Sequence, residues 1–162
     1  MNDAAPETSG CPLCQGGAID EQFMRVEVWQ DDLWRLTTAI ASETPGFSYL
    51  EPRRHIPDIA ALDGPEAASL GSTLARVTSA LKAETGAQLV YIYVFGDGIA
   101  HLHFHLAPHT AGDALNDHMI RGEMIETPLP NGATLIESKD YPPLPAADLR
   151  ALAERLRLRL AR

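Results

Sequence analysis

The sequence reads as α+β: an antiparallel sheet of about five strands, a long helix packed on it, and a C-terminal helix. Three observations carry this. Short β-rich runs broken by turn residues fill the first third of the chain. A long apolar stripe of helical period follows, and then a second pair of β-rich runs and a closing leucine stripe.

Residues 1–10 are small and polar without periodicity, and are expected to be disordered. CPLCQGG follows as a tight turn. Residues 24–30 and 33–40 are strand candidates joined by Asp31-Asp32, a hairpin turn, and Thr44-Pro45-Gly46 turns the chain into a short strand at 47–51. From residue 65 to about 85, Leu70, Leu74, Val77 and Leu81 form one helical stripe. Asp63 is placed to cap that helix, Glu66 sits in its first turn, and Gly86 ends it. Residues 88–95 (QLVYIYVF) read as a buried strand. Gly96-Asp97-Gly98 leads into a histidine-bearing strand that Pro108 is expected to terminate. The prolines between 127 and 145 suggest an extended surface segment, and Leu149, Leu152, Leu156 and Leu160 stripe a last helix over Ala146–Leu160. There is no internal repeat and no sign of a second domain.

The formal charge of −9 argues against a nucleic-acid polymer as partner, while leaving room for a small phosphorylated substrate in a local pocket. No apolar run approaches the roughly 18 residues that span a bilayer, so no membrane partner is expected. The polar N-terminus lacks the regions of a signal peptide, so the expected location is cytoplasmic. The two cysteines fall in one CPLC unit, which in a reducing compartment reads as metal-binding or redox.

The segment His101-Leu102-His103-Phe104-His105 carries the chemistry. In a strand its imidazoles share one face, each about 6.6 Å from the next, while Leu102, Phe104 and Leu106 anchor the other face. Such an array can bind a metal, or it can attack phosphorus through a neutral imidazole whose neighbours stabilise the developing charge. The Asp-His that continues the pair in metallo-β-lactamase-like hydrolases is missing, as is the Glu that cupins require.

HLHFHLA resembles the signature of the histidine-triad (HIT) superfamily, His-φ-His-φ-His-φ-φ with φ apolar. PGFSYLEPRRH (residues 45–55) is similar to that family's PGH-strand-Pro-Lys-x-His segment, and CPLC resembles its zinc-containing branch. The resemblance covers roughly residues 11–112, with 113–162 as a C-terminal extension. It implies a HIT-like fold and an enzyme, a hydrolase or nucleotidyl transferase acting on a dinucleoside polyphosphate or nucleoside phosphoramidate. By position, His103 is the nucleophile that forms a nucleotidyl-histidine, and His105 is a catalytic residue that also binds the phosphate. His109 and Asp97 are candidate substrate contacts. The resemblance further implies a structural zinc on Cys11, Cys14, His55 and His101, and a homodimer formed through the long helix and a sheet edge. A free or redox dithiol is the alternative at CPLC, although redox pairs usually open a helix after a strand, which Gly16-Gly17 does not favour.

Three departures from the family matter. The acidic residue used for ribose is Ala39 here, the expected Asn falls near Val90, and Asp97 replaces the Gln or Ser of the glycine-rich turn. They leave open a divergent enzyme on a non-nucleotide substrate, working through the triad or a metal it holds, or a non-catalytic binding module. His118 reads as a surface histidine and Arg121 as part of a solvated loop.

Overall fold

The computed structural model describes residues 10–96, 98–113, 123–132 and 134–162, and of Met124 and Ile136 the backbone alone. Asp97, His118, Arg121 and all of the expected disordered N-terminus except Gly10 lie outside the described residues.

Five strands form one antiparallel sheet: β1 (Arg25–Gln30), β2 (Trp34–Ala39), β3 (Ser48–Pro52), β4 (Leu89–Tyr93) and β5 (Phe104–His109), in the order β1-β2-β3-β5-β4. The β1–β2 turn is built on Asp31, whose carboxylate accepts from the amides of Leu33 and Trp34 at 2.8 and 2.7 Å. Cross-strand register sorts the faces. Leu36, Leu50 and Phe104 lie in one row, and Thr37, Tyr49, His105 and Tyr93 in the next. The first row faces the helices and the second leaves an open face. A bulge between Glu27 and Trp29 lets Val28 and Trp29 both turn toward the helices.

Two helices cover the apolar face. The helix α2 (Gly64–Thr85) follows a single turn α1 (Gly17–Asp20), and α3 (Ala146–Leu160) closes the chain. Val77 and Leu81 of α2 and Leu152, Leu156 and Leu160 of α3 share one core with Trp34, Leu36, Leu50, Phe104 and Leu106. Each fully buried Leu contributes on the order of 1.5–3 kcal/mol. The indole N–H of Trp34, wholly buried, donates to Ser69 Oγ at 2.8 Å, so the largest core side chain carries no orphaned donor. Gly46, at φ +77°, lies where a Cβ would meet Thr85 Cγ2 at 2.8 Å, so glycine is required both by its backbone and by the close approach of α2.

Five expectations need correction. The sheet ladder begins at Phe104 and not at His101, because the amide of Leu102 bonds the carbonyl of Ile56 at 2.7 Å outside the sheet. Pro108 lies inside β5 opposite Val90; the β3 register reaches only Leu106, so the missing N–H faces no strand there. The strand expected to be buried, β4, is an edge strand with Leu89 and Ile92 exposed. Asp63 precedes α2 without a side-chain cap; its carboxylate instead accepts from Arg54 at 2.7 Å. Finally, the segment 127–145 is not simply extended. It completes a hairpin of β6 (Met124–Pro128) and β7 (Thr134–Ser138) about Asn131-Gly132, a strong hairpin dipeptide that the proline count obscured.

Candidate active site and metal centre

The CPLC turn, the chain after β3 and the approach to β5 converge. Cys11 Sγ lies 3.4 Å from His101 Nδ1, and Cys14 Sγ lies 3.4 Å from the Nδ1 atoms of both His55 and His101. All four ligand atoms fall within 4.8 Å of one another. Zinc with bonds of about 2.3 Å to sulfur and about 2.0 Å to nitrogen sets neighbouring ligand atoms roughly 3.3–3.8 Å apart, so these residues could hold it. The tautomers suit a cation as well. His101 Nε2–H donates to the carbonyl of Pro52 at 2.9 Å, which leaves Nδ1 with its lone pair toward the sulfurs. Desolvation holds the His101 pKa below its ordinary value, keeping the ring neutral as a ligand must be. Desolvation and the neighbouring Cys11 push the Cys14 thiol up to about 11, so without a cation that sulfur keeps its proton. Gly17 does open a helical turn, α1, contrary to the expectation used against a redox pair. The two imidazoles beside the sulfurs now carry the preference for metal. Arg54, ion-paired to Glu66 at 3.1 Å, ties the segment carrying His55 to the start of α2.

The triad divides between two tasks. His101, buried, belongs to the cysteine cluster, whereas His103 and His105 line a cavity of about 620 Å³ over the open face of the sheet. His103 Nδ1–H donates to the carbonyl of His101 at 2.6 Å, so Nε2 carries the free lone pair. His105, with its ring centroid 5.1 Å from that of His103, sits in an aromatic sleeve. Tyr93, directly opposite on β4, stacks on it at 4.9 Å and 5°, with Tyr49 at 5.3 Å, Phe95 at 5.4 Å and Phe47 at 6.1 Å. His105 Nδ1 and Tyr93 Oη are both buried and lack a hydrogen-bond partner among the described residues.

The far wall was not anticipated from sequence. Buried Arg25 donates to Asp20 of α1 at 2.9 Å and to Glu51, while its guanidinium lies 5.6 Å from the Tyr49 ring centroid. Arg35 joins Asp20 and Glu27, the latter at 2.6 Å. Arg25 and Glu51 line the cavity, and Arg25 is the cross-strand neighbour of Ala39. The signal was Arg25, Glu27, Arg35 and Glu51 recurring at alternate strand positions among apolar residues, a polar row on one face. Glu43 also lines the cavity and makes no hydrogen bond or ion pair among the described residues. The β6–β7 hairpin lines the cavity with Thr134, Leu135 and Glu137. His109 does not line it: its ring stacks on Tyr91 at 4.7 Å and Nδ1 pairs with Asp113 at 2.9 Å.

Burial, and secondarily the neighbouring His103, lowers the His105 pKa from 6.5 to about 4. An unfolded chain takes up this proton as pH falls through 6.5, while the folded chain resists until near 4. The resulting stability is therefore complete above pH 6.5 and lost between there and about 4. Denaturant titrations should show the wild type losing on the order of 1–3 kcal/mol more than His105→Phe between pH 7 and 4. Equal losses would mean that His105 is not held neutral by its sleeve.

A family model described as the HIT domain matches residues 21–112. No curated protein matches the chain. Among solved structures, a histidine triad protein from Bradyrhizobium japonicum superposes with a TM-score of 0.66 at 22% identity, over 89% of this chain and 95% of that one. A hypothetical histidine triad nucleotide-binding protein from Sulfolobus tokodaii gives 0.65 at 17%, over 93% and 92%. A Zn-bound histidine triad family protein from Mycobacterium smegmatis gives 0.62 at 17%, over 95% of each chain. At such identities these likenesses speak for the fold. The matched family segment itself contains His55, His101, His103 and His105 and spans more than half of the sequence, and the chain thus belongs to the HIT domain family.

Proposed function

We propose that the chain is a hydrolase or nucleotidyl transferase that cleaves a nucleotide conjugate through a phosphorus–nitrogen bond to His103. One observation carries this reading: His103 donates its Nδ1 proton to a backbone carbonyl, beside His105 in the same cavity, which leaves Nε2 as a free nucleophile. In the first step Nε2 attacks the phosphorus bonded to the nucleoside. The Nε2–P bond forms as the bond from phosphorus to the leaving group breaks. The leaving group keeps the electron pair, and an amine also takes a proton from cavity water. Water then attacks phosphorus, the N–P bond returns its electrons to the imidazole, and the nucleoside monophosphate leaves. Neutral His105 donates to the phosphoryl oxygens, stabilising charge as it develops. The Sulfolobus tokodaii relative, described as nucleotide-binding, supports the substrate class. Ala39 at the position of the family's ribose carboxylate, with the Arg25–Glu51 pair beside it, favours a second reading in which the same nucleophile serves a phosphate ester that is not an ordinary nucleotide.

Zinc would be held by Cys11, Cys14, His55 and His101, as the Zn-bound Mycobacterium smegmatis relative also suggests. With four protein ligands it supplies a cross-link and leaves no position for substrate. The chain is further proposed to pair as a homodimer through the exposed apolar side chains of the β4 edge, Leu89 and Ile92. No helix among the described residues is long and apolar enough to cross a membrane.

Three outcomes are expected. Brief mixing with adenosine phosphoramidate or a diadenosine polyphosphate should give a nucleotidyl adduct on His103 by mass spectrometry. His103→Ala should lose the adduct and roughly a thousandfold or more of the turnover, and an unimpaired His103→Ala protein would refute the mechanism. Elemental analysis should find about one zinc per chain, and Cys11→Ser should lose both metal and thermal stability; a metal-free wild type indifferent to chelator would exclude the centre. Sedimentation at micromolar concentration should give twice the 17.6 kDa chain mass, against which a monomer would count decisively.

A further inference from the structure

Tyr93 Oη is buried in the cavity wall, yet no described residue accepts its proton. A buried tyrosine hydroxyl ordinarily finds a partner, since an unmade bond costs about 1–3 kcal/mol. Glu43 offers the complement, a carboxylate that lines the same cavity without a donor among the described residues. Burial, then the Tyr49 hydroxyl and the Glu43 charge, raise the Tyr93 pKa well above its ordinary value, so the phenol remains a donor. Burial likewise takes Tyr49 up to about 12, with Glu43 contributing. An unpaired donor and an unpaired acceptor that line one cavity can be satisfied together by a ligand group that both accepts and donates, and a hydroxyl is the case in which a single atom does both. A phosphate oxygen could engage Tyr93 but would be repelled by Glu43, and an ammonium could engage Glu43 but has no acceptor to offer Tyr93.

We infer that Tyr93 and Glu43 form a hydroxyl-recognition subsite, Tyr93 donating to and Glu43 accepting from a sugar-like hydroxyl of the phosphorylated substrate. The inference rests on the proposed phosphate chemistry of the cavity and adds the substrate's second recognisable group. Both are positioning residues for the ligand and take no part in bond making.

A binding cycle tests it, using adenosine monophosphate, its dideoxy analogue lacking both ring hydroxyls, and ribose phosphate lacking the base. Calorimetry should show the wild type favouring adenosine monophosphate over the dideoxy analogue by about tenfold, the effect of one good hydrogen bond. Tyr93→Phe and Glu43→Gln should each remove most of that preference, binding the dideoxy analogue as the wild type does. Without ligand, Tyr93→Phe should melt at the same or a higher temperature, since it removes an unpaired buried hydroxyl. A less stable Tyr93→Phe protein would show a structural partner and overturn the inference. A wild type indifferent to the hydroxyls, or a preference that survives both substitutions, would overturn it too. Failure of this subsite and failure of the mechanism separate cleanly. An adduct on His103 without hydroxyl discrimination removes the subsite alone. Ribose phosphate binding that depends on Tyr93, with no adduct from any conjugate, keeps the subsite and removes the mechanism.

Discussion

Much of this molecule hangs on His101. Its ring spans from the Pro52 carbonyl at the end of β3 to the two cysteine sulfurs, and its own carbonyl receives the Nδ1 proton of His103. One residue thereby fixes the N-terminal turn, the entry to β5 and the tautomer of the next histidine. The approach of Nδ1 to the sulfurs suits a neutral ring with its proton on Nε2, a state that desolvation favours. The geometry at the cysteines and the geometry in the cavity are thus not independent. They are two ends of one short peptide.

A second constraint comes from the buried ions. Asp20, Arg25, Arg35, Glu27 and Glu51 link the turn after CPLC to three neighbouring strands. Removing one partner from such a set leaves an uncompensated charge, at a cost on the order of 3–5 kcal/mol. The set therefore holds α1 against the sheet in one arrangement. Its guanidinium and carboxylate faces also form part of the cavity wall, where Arg25 is already neutralised by Asp20 and Glu51. Among the described residues that line the cavity, Arg25 is the one permanent cation, and it shares that lining with the imidazoles of His103 and His105.

Most of the architecture was legible because periodicity is a local property. The stripe of α3 fell on Ala146–Leu160, and the helix of residues 65–85 on Gly64–Thr85, where leucine spacing alone decides which face is buried. The metal-type cluster was legible through resemblance, since no local pattern links Cys11 to His55. What escaped was non-local. Burial of β4 depends on its place at the sheet edge, which composition does not encode. The start of β5 depends on a hydrogen bond to Ile56, and the role of Pro108 on where β3 stops. The hairpin at β6–β7 was written in Asn131-Gly132 but masked by the surrounding prolines. The polar wall of the cavity escaped because charged residues at alternate strand positions read as solvent-facing until a third element, here α1 and the hairpin, is known to cover them.

The contact between Cys11 and His101 joins residues 90 positions apart. Closing a loop of that length costs a flexible chain about 4 kcal/mol by the (3/2)RT ln n rule. The sheet strands β1, β2 and β3, the long helix and β4 all lie inside it. Such a contact cannot nucleate folding; it forms once the strands have already brought its ends together. The cysteine–histidine cluster is accordingly a latch on a finished topology, and its four side chains meet only in chains whose register is correct throughout.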